Sequence, residues 1–187
     1  MNNSTINGTD WTPRITGEAL TAYKHYYERE IVATVFIAAC ILGTAGNTFV
    51  ITAVVIGDKL RTVTNLFVVN LSISDLLSCV ILPWQAVAVL SENGWPLQDV
   101  TWICVAVTAI INASSGCSIT NLALIAVNRW IGITKSRATV RRIYTRRNIA
   151  CMVAFSWALP VGLSMIPLLT DFGEFGYEVL FGFCSWV

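Results

Sequence analysis

The chain has 187 residues, of which 55% are apolar and only 12% are charged, and its mean hydropathy is +0.65. Soluble domains carry about a quarter charged residues, so this composition predicts a protein dissolved in lipid. A single histidine and six cysteines without a CxxC pair leave little material for a zinc site or a histidine-based catalytic triad. We therefore expect no enzyme activity and no cofactor, and the sequence predicts no nucleic acid partner.

Four apolar stretches are long enough to cross a bilayer as helices. A bilayer core of about 30 Å requires roughly 20 mostly apolar residues in a helix. The stretches lie at 31–56, 66–90, 102–133 and 149–169. Short connections leave no room for a soluble domain between them. The sequence predicts an all-α membrane bundle flanked by a polar tail at 1–30, without a cleavable signal peptide, and a polar segment at 170–187.

The distribution of Lys and Arg predicts how the bundle is oriented, because short cytoplasmic loops are enriched in both. The connection after the first stretch carries Lys59 and Arg61. The basic residues of the connection after the third stretch are Lys135, Arg137, Arg141, Arg142, Arg146 and Arg147. The charged residues of the second connection and of the segment at 170–187 are all acidic. We therefore expect a multi-pass plasma membrane protein with an extracellular N-terminus.

The N-terminal tail contains three glycosylation acceptor patterns, at Asn2, Asn3 and Asn7. Each tripeptide alone is weak support, and chance supplies such matches elsewhere in the chain. Three matches on the side already predicted to be external favour glycosylation of at least one of these asparagines.

Asp75 is an acid inside an otherwise apolar stretch, where a charge is costly unless it finds partners. Polar residues occur near it at Asn70, Ser72 and Ser74, and Asn47 lies near the middle of the first stretch. This pattern favours a buried polar cluster that binds an ion or acts as a switch. The alternative is an aspartate with a purely structural, hydrogen-bonded role.

Arg129 lies near the far end of the third stretch, where its permanent charge must reach the interface or pair with a partner. Cys104 precedes it by 25 residues, about 37 Å of helix, so the two residues lie on opposite membrane faces. Cys104 would then share the oxidising side with Cys184, which favours a disulfide between them. Two unpaired thiols are the alternative.

Taken in chain order, these features resemble those of the rhodopsin-like G-protein-coupled receptors. The first stretch contains Gly46-Asn47, the second Asn70-Leu-Ser-Ile-Ser-Asp75-Leu, and the next connection Trp95. The remaining marks of the resemblance are Cys104, the run Asn128-Arg129-Trp130, Trp157, Pro160 and Cys184. Each mark alone is weak, but together they cover nearly the whole chain from Ile31 onward.

The resemblance implies a role for several residues. Asn47 and Asp75 would belong to an interhelical polar network, with Asp75 and Ser118 forming part of the family's sodium site. Arg129 would engage a heterotrimeric G protein on activation, and Cys104 and Cys184 would form the family disulfide. The basic connection at 134–148 would lie near lipid headgroups and the G protein.

The sequence departs from the family pattern in two respects, and the first concerns the residues on either side of Arg129. Asn128 and Trp130 stand where the family usually has Asp or Glu and Tyr, so no ion pair with the preceding residue restrains Arg129. In having Asn before the arginine, the chain resembles melatonin-type receptors and some insect receptors that guide cell migration. We expect easier activation or altered G-protein coupling.

The second departure concerns the ligand. Amine receptors of the family carry an Asp seven residues after the cysteine, and Ile111 occupies that position here. We therefore expect a ligand other than an amine, and a neutral small molecule, a lipid and a peptide all remain open. Ile111, Asn112 and Ser115 are candidates for the pocket wall, with helix packing as the alternative role.

Receptors of this family have seven helices, and this sequence predicts only four. The resemblance therefore implies transmembrane helices 1–4 of a seven-helix bundle, which would not signal alone and would fold poorly alone. Alternatives are a truncated form that retains full-length receptor inside the cell, a four-span membrane organiser, or a channel or transporter subunit. A four-span organiser would have both termini in the cytoplasm, whereas the charges and acceptor patterns here predict both outside. A channel or transporter subunit is suggested by Asp75, but the sequence shows no repeat between its halves, as many transporter folds require.

Overall fold

The computed structural model describes residues 22–186 apart from residues 24, 61, 92–94 and 171–172. The predicted glycosylation acceptors Asn2, Asn3 and Asn7 lie outside the described residues. The elements are α1 (Tyr26–Ile56), α2 (Val63–Leu90), α3 (Trp102–Thr134), α4 (Arg137–Ile143), α5 (Arg146–Leu169), β1 (Phe175–Glu178) and β2 (Phe183–Trp186). Short 3₁₀ turns at Asp58–Leu60 and Gln98–Val100 precede α2 and α3.

Within the described ranges, four helices are long and apolar enough to cross a membrane: Tyr26–Ile56, Val63–Leu90, Trp102–Thr134 and Arg146–Pro167. Many of their apolar side chains are exposed, and Phe49 and Ile133 keep 74% and 85% of their surface accessible. Such exposure suits lipid or further helices rather than water. The predicted all-α membrane class is confirmed.

The helices α1, α2 and α5 begin before the predicted apolar stretches, because their first turns include polar residues. α1 begins at Tyr26 rather than at 31, and the Glu28 carboxylate accepts a hydrogen bond from the His25 backbone N–H over 3.4 Å. Thr62 caps α2 and Thr145 caps α5 through their side-chain oxygens, so these helices begin at Val63 and Arg146, three residues before the predicted starts.

Consecutive long helices pack side by side, α1 on α2, α2 on α3, and α3 on α5. Glycines permit two of these approaches. A Cβ atom at Gly43 would lie 2.6 Å from Cys79 Sγ, and one at Gly116 would lie 2.7 Å from Pro160 Cβ. Small residues bring membrane helices close enough for van der Waals packing and interhelical hydrogen bonds.

Two elements appear where the sequence analysis placed connections. α4 forms inside the basic connection, where the Ser136 hydroxyl accepts a hydrogen bond from the Thr139 backbone N–H over 3.3 Å. β1 and β2 pair antiparallel within the segment 170–187, and Gly182 closes their turn with a φ of 65°. We call the end of the bundle with the hairpin the hairpin end, and the end with α4 the basic end.

Candidate functional site

A line of hydrogen-bonded side chains runs along the contact between α2 and α3, and we call it the polar seam. From pair to pair the residue number on α2 rises by six, four and four while the number on α3 falls by seven, three and four, in steps of about one or two turns, as expected for antiparallel helices with 3.6 residues per turn. Its pairs are Thr64–Asn128 at 2.7 Å, Asn70–Asn121 at 2.7 Å, Ser74–Ser118 at 2.9 Å and Ser78–Ser114 at 2.8 Å.

Asp75 is half-buried beside the polar seam, and its Oδ1 accepts a hydrogen bond from the Ser118 hydroxyl over 2.7 Å. Ser118 also contacts Ser74, so three side-chain oxygens gather at this point. The Asn47 side chain instead donates to the carbonyl of Gly43 in its own helix over 3.0 Å. The structure thus brings together Asp75 and Ser118 but does not bond Asn47 to them within the described residues.

Asn70 is not part of the Asp75 cluster but the centre of a second, buried network. Its Nδ2 donates to Asn121 Oδ1 over 2.7 Å and to Ser156 Oγ over 3.0 Å, and its Oδ1 accepts from Trp157 Nε1 over 2.9 Å. The network joins α2, α3 and α5, so the amide has partners at both its atoms. Sequence reasoning missed Asn121 and Ser156, although a polar residue in an apolar stretch was the signal available.

At the basic end, Asn128 and Arg129 line a groove of about 550 Å³ between α2, α3 and α4. Asn128 donates its hydrogen bond to Thr64, whereas Arg129 is exposed. Trp130 is also exposed and does not line the groove, and Lys135 Nζ lies 5.7 Å from the centre of its ring. Tyr144 lines the groove, and burial raises the pKa of its phenol.

The candidate pocket residues do not share one cavity. Ile111 is half-buried and packs against the apolar core at the hairpin end, which fits the packing alternative. Asn112 donates to the Thr108 carbonyl over 3.0 Å and lines a cavity of about 250 Å³ between α3, α5 and the hairpin. Ser115 is exposed and does not line that cavity.

The hairpin is fastened to the helices by covalent and polar contacts. Cys104 and Cys184 form a disulfide that joins the start of α3 to β2, with their Cα atoms 5.3 Å apart. Gln85, on α2, donates to the Cys184 carbonyl over 2.7 Å and accepts from its backbone N–H over 2.9 Å. Gln85 is only 5% exposed, and it was not among the residues singled out from the sequence.

Arg29 makes a second anchor at the hairpin end. The side chain is 6% exposed, and its guanidinium donates to the Val89 and Ser91 carbonyls at the end of α2 over 3.0 and 2.7 Å. The Tyr177 hydroxyl donates to the same Ser91 carbonyl over 3.4 Å. Burial raises the pKa of Tyr23, whose ring lies 5.2 Å from the guanidinium, and the Arg29 charge partly offsets this rise. The sequence analysis had placed Arg29 in the polar tail.

Comparisons with known proteins fit this architecture. The family described as "7 transmembrane receptor (rhodopsin family)" matches residues 46–184. The chain is 33% identical to the G-protein coupled receptor moody of Drosophila melanogaster over 78% of its length, and 37% identical to the mouse alpha-1D adrenergic receptor over 72%. It is 26% identical to the canine type-1 angiotensin II receptor over 95% of its length.

Among solved structures, squid rhodopsin matches 87% of the chain with a TM-score of 0.75 at 22% identity, which shows a common fold. The chain spans 21%, 24% and 48% of the three curated relatives and 43% of the squid rhodopsin chain. The four membrane-spanning helices therefore correspond to part of a larger bundle. The chain is a multi-pass plasma membrane protein and belongs to the rhodopsin family of seven-transmembrane receptors.

Proposed function

We propose that these four helices supply the first part of a G-protein-coupled receptor that passes an extracellular, non-amine signal to a heterotrimeric G protein. The single observation that carries this proposal is the exposed Arg129 in a groove at one end of the bundle. A polar seam connects that groove to the middle of the bundle. Arg129 presents its positive charge in this groove to an incoming protein, and the residue directly before it, Asn128, is not acidic.

The proposed orientation puts the basic end in the cytoplasm and the N-terminus and hairpin outside. Support comes from α4 and its flanks, which carry the basic residues of the connection 134–148. Glycosylation of Asn2, Asn3 or Asn7 would follow from this orientation. Enzymatic deglycosylation should lower the mass of the unaltered protein, and replacing all three asparagines by Gln should abolish that mass shift. The absence of a mass shift in the unaltered protein would count against external placement.

Coupling to the G protein is proposed to involve Asn128, Arg129 and Trp130. Because Asn128 has no charge, it holds α3 to Thr64 of α2 by a neutral hydrogen bond and does not form an ion pair with Arg129. Arg129 is then held at this end of α3 without an acidic partner in its own motif. This arrangement favours easy engagement of a partner, and it supports the expectation of elevated basal activity.

The ligand is proposed to be something other than an amine. Ile111 provides no carboxylate to pair an ammonium group, and it packs into the apolar core. The relatives' names include both an adrenergic and an angiotensin II receptor, so they favour no ligand class. Asn112 is the best-placed polar candidate in this region, because it lines the cavity beneath the hairpin.

A sodium ion is a further element of the proposal. Asp75, Ser118 and Ser74 present oxygen atoms, the ligand type that hard cations prefer. Asp75 would supply the balancing charge, and the two serines would orient its carboxylate.

The second candidate function is that of a truncated, non-signalling partner that retains full-length receptor inside the cell. The exposed apolar surfaces of the helices favour it, because such surfaces could meet helices of another copy. Counting surface receptors with and without the 187-residue chain would test this function. The four-span organiser is disfavoured by family membership.

The main function can be tested by guanine nucleotide exchange on purified heterotrimeric G proteins, using full-length receptor in membranes. Arg129→Gln should reduce exchange to background, because the groove loses its cation. Arg141→Gln removes the same charge from α4 outside the groove lining and should leave exchange nearly unchanged. Equal exchange by both variants and by the unaltered receptor would contradict the coupling role of Arg129.

A further inference from the structure

A groove of about 610 Å³ lies between α1 and α2 at the hairpin end, separate from the groove at Arg129. Its lining residues are Tyr26, Glu30, Ala33, Thr34 and Ile37 of α1 and Pro83, Ala86, Val87 and Leu90 of α2. Ala33 and Ala86 are buried and form its floor, because small side chains let the two helices approach closely. Tyr26 and Val87 are exposed and contribute to its walls.

Glu30 provides the only charge among these lining residues. Its carboxylate is exposed, and it has no hydrogen bond or ion pair within the part of the chain that the structure describes. The Thr34 hydroxyl donates to the Glu30 backbone carbonyl over 2.7 Å and so leaves the carboxylate free. The Tyr26 ring lines the same groove one turn before Glu30. Because carboxylates and aromatic faces both attract cations, this end of the groove favours positive charge.

Arg29 does not neutralise the carboxylate, although it is the preceding residue. Its guanidinium donates to the carbonyls of Val89 and Ser91, and its side chain does not line the groove. Successive residues are rotated by about 100° around a helix axis, so Arg29 and Glu30 leave α1 on different sides. The Glu30 charge is therefore available to a ligand in the groove.

We propose that this groove binds a small amphiphilic amine, a cationic ammonium group attached to an apolar body. The ammonium group lies between the Glu30 carboxylate and the Tyr26 ring, and the apolar body extends between the helices toward Ile37 and Pro83. From Glu30 to Ile37 the helix rises about 10 Å over seven residue steps, which is enough for two aromatic rings. This site is distinct from the cavity lined by Asn112, whose lining has no acidic residue, and it does not rest on G-protein coupling.

The charge of Glu30 selects an amine over other apolar occupants. A sterol would cover the apolar walls but leave the carboxylate unpaired, and a fatty acid would bring a second negative charge. Phosphatidylcholine carries an ammonium group together with a phosphate, and no Lys or Arg lines the groove to pair that phosphate. An inorganic cation would meet the carboxylate but leave the apolar walls uncovered. An amphiphilic amine matches both parts of the groove.

The test is photolabelling of full-length receptor in phosphatidylcholine nanodiscs with benzophenone that carries a trimethylammoniomethyl group. Mass spectrometry of the peptides should find label in α1 and α2 at the groove, and this labelling should saturate with probe concentration. Glu30→Gln should raise the half-saturating concentration about fivefold, the scale of one exposed ion pair. Glu28→Gln is the matched control, because Glu28 does not line the groove and Gln can still accept from the His25 backbone N–H.

A second pair of variants tests the walls independently of charge. Val87→Trp should fill the groove and reduce labelling while keeping Glu30, whereas Val35→Trp alters an exposed residue of α1 outside the lining and should leave labelling unchanged. A neutral hydroxymethyl analogue of the probe should bind more weakly and should not respond to Glu30→Gln. Labelling that does not saturate, or that is affected equally by Glu28→Gln and Glu30→Gln, would overturn the proposal in favour of partition into the bilayer. Labelling insensitive to Val87→Trp would overturn it as well.

Discussion

The two ends of the bundle are held together in different ways. At the hairpin end, the Cys104–Cys184 disulfide, the two hydrogen bonds of Gln85 and the buried Arg29 connect three helices to the hairpin and to one another. At the basic end, the polar seam finishes in one hydrogen bond between Asn128 and Thr64, and Arg129 is exposed.

This difference follows from the chemistry of the contacts. A disulfide stabilises a fold by about 2–4 kcal/mol, and an unsatisfied buried polar group costs about 1–3 kcal/mol. A single neutral hydrogen bond contributes only about 1 kcal/mol. The hairpin end is therefore built to keep its shape, whereas the basic end needs little free energy to change. A receptor of the proposed kind benefits from a fixed ligand end and a movable effector end.

The largest expected effect comes from removing the covalent anchor. Cys104→Ser should lower the unfolding free energy of the full-length receptor by about 2–5 kcal/mol, because the hairpin loses its fixed attachment to α3. A thermal melt in detergent would measure the change. Cys151→Ser is the control, since Cys151 is a free and exposed thiol. Identical melting temperatures for the two variants would remove the disulfide from the explanation.

Arg29→Met should have the next largest effect. The variant keeps much of the buried aliphatic volume but deprives the Val89 and Ser91 carbonyls of a charged donor, a loss of about 2–3 kcal/mol. Glu30→Gln alters the adjacent, exposed residue and serves as the control. Chemical unfolding of both variants would measure the difference, and equal stability would show that Arg29 does not fasten the hairpin end.

Gln85→Leu should cost about 1–3 kcal/mol, because the N–H and carbonyl of Cys184 would be buried without these partners. Hydrogen exchange at Cys184 should accelerate while exchange in the middle of α3 stays the same. Gln85→Glu is an informative companion, since its carboxylate can still accept from the N–H but cannot donate to the carbonyl. Unchanged exchange at Cys184 in Gln85→Leu would argue against this anchor.

The smallest change in stability is expected at the basic end, but it should alter activity. Thr64→Val removes the acceptor for Asn128 at a cost of about 1 kcal/mol, and basal nucleotide exchange should rise by up to about fivefold. Asn128→Asp should act in the opposite direction by placing an acid beside Arg129. If both variants show the same basal exchange as the unaltered receptor, the hydrogen bond between Asn128 and Thr64 does not restrain activation.

Sequence patterns predicted the four membrane spans because apolar runs of sufficient length have few other structures. Asp75 and Arg129 were identified because charges in such runs are conspicuous. The hairpin, α4 and the Arg29 anchor were not predicted, since the first two form in short polar segments and the third depends on where α1 begins. Asn121 was missed because its importance depends on the register between α2 and α3, which a single sequence does not display.

Hydrogen–deuterium exchange on ligand-free, full-length receptor in lipid nanodiscs would test the difference between the two ends most directly. The account predicts slow exchange at Tyr177 and Cys184 in the hairpin and faster exchange in α4 and at the end of α3 around Asn128. Protection at the basic end that equals or exceeds that of the hairpin would contradict the account.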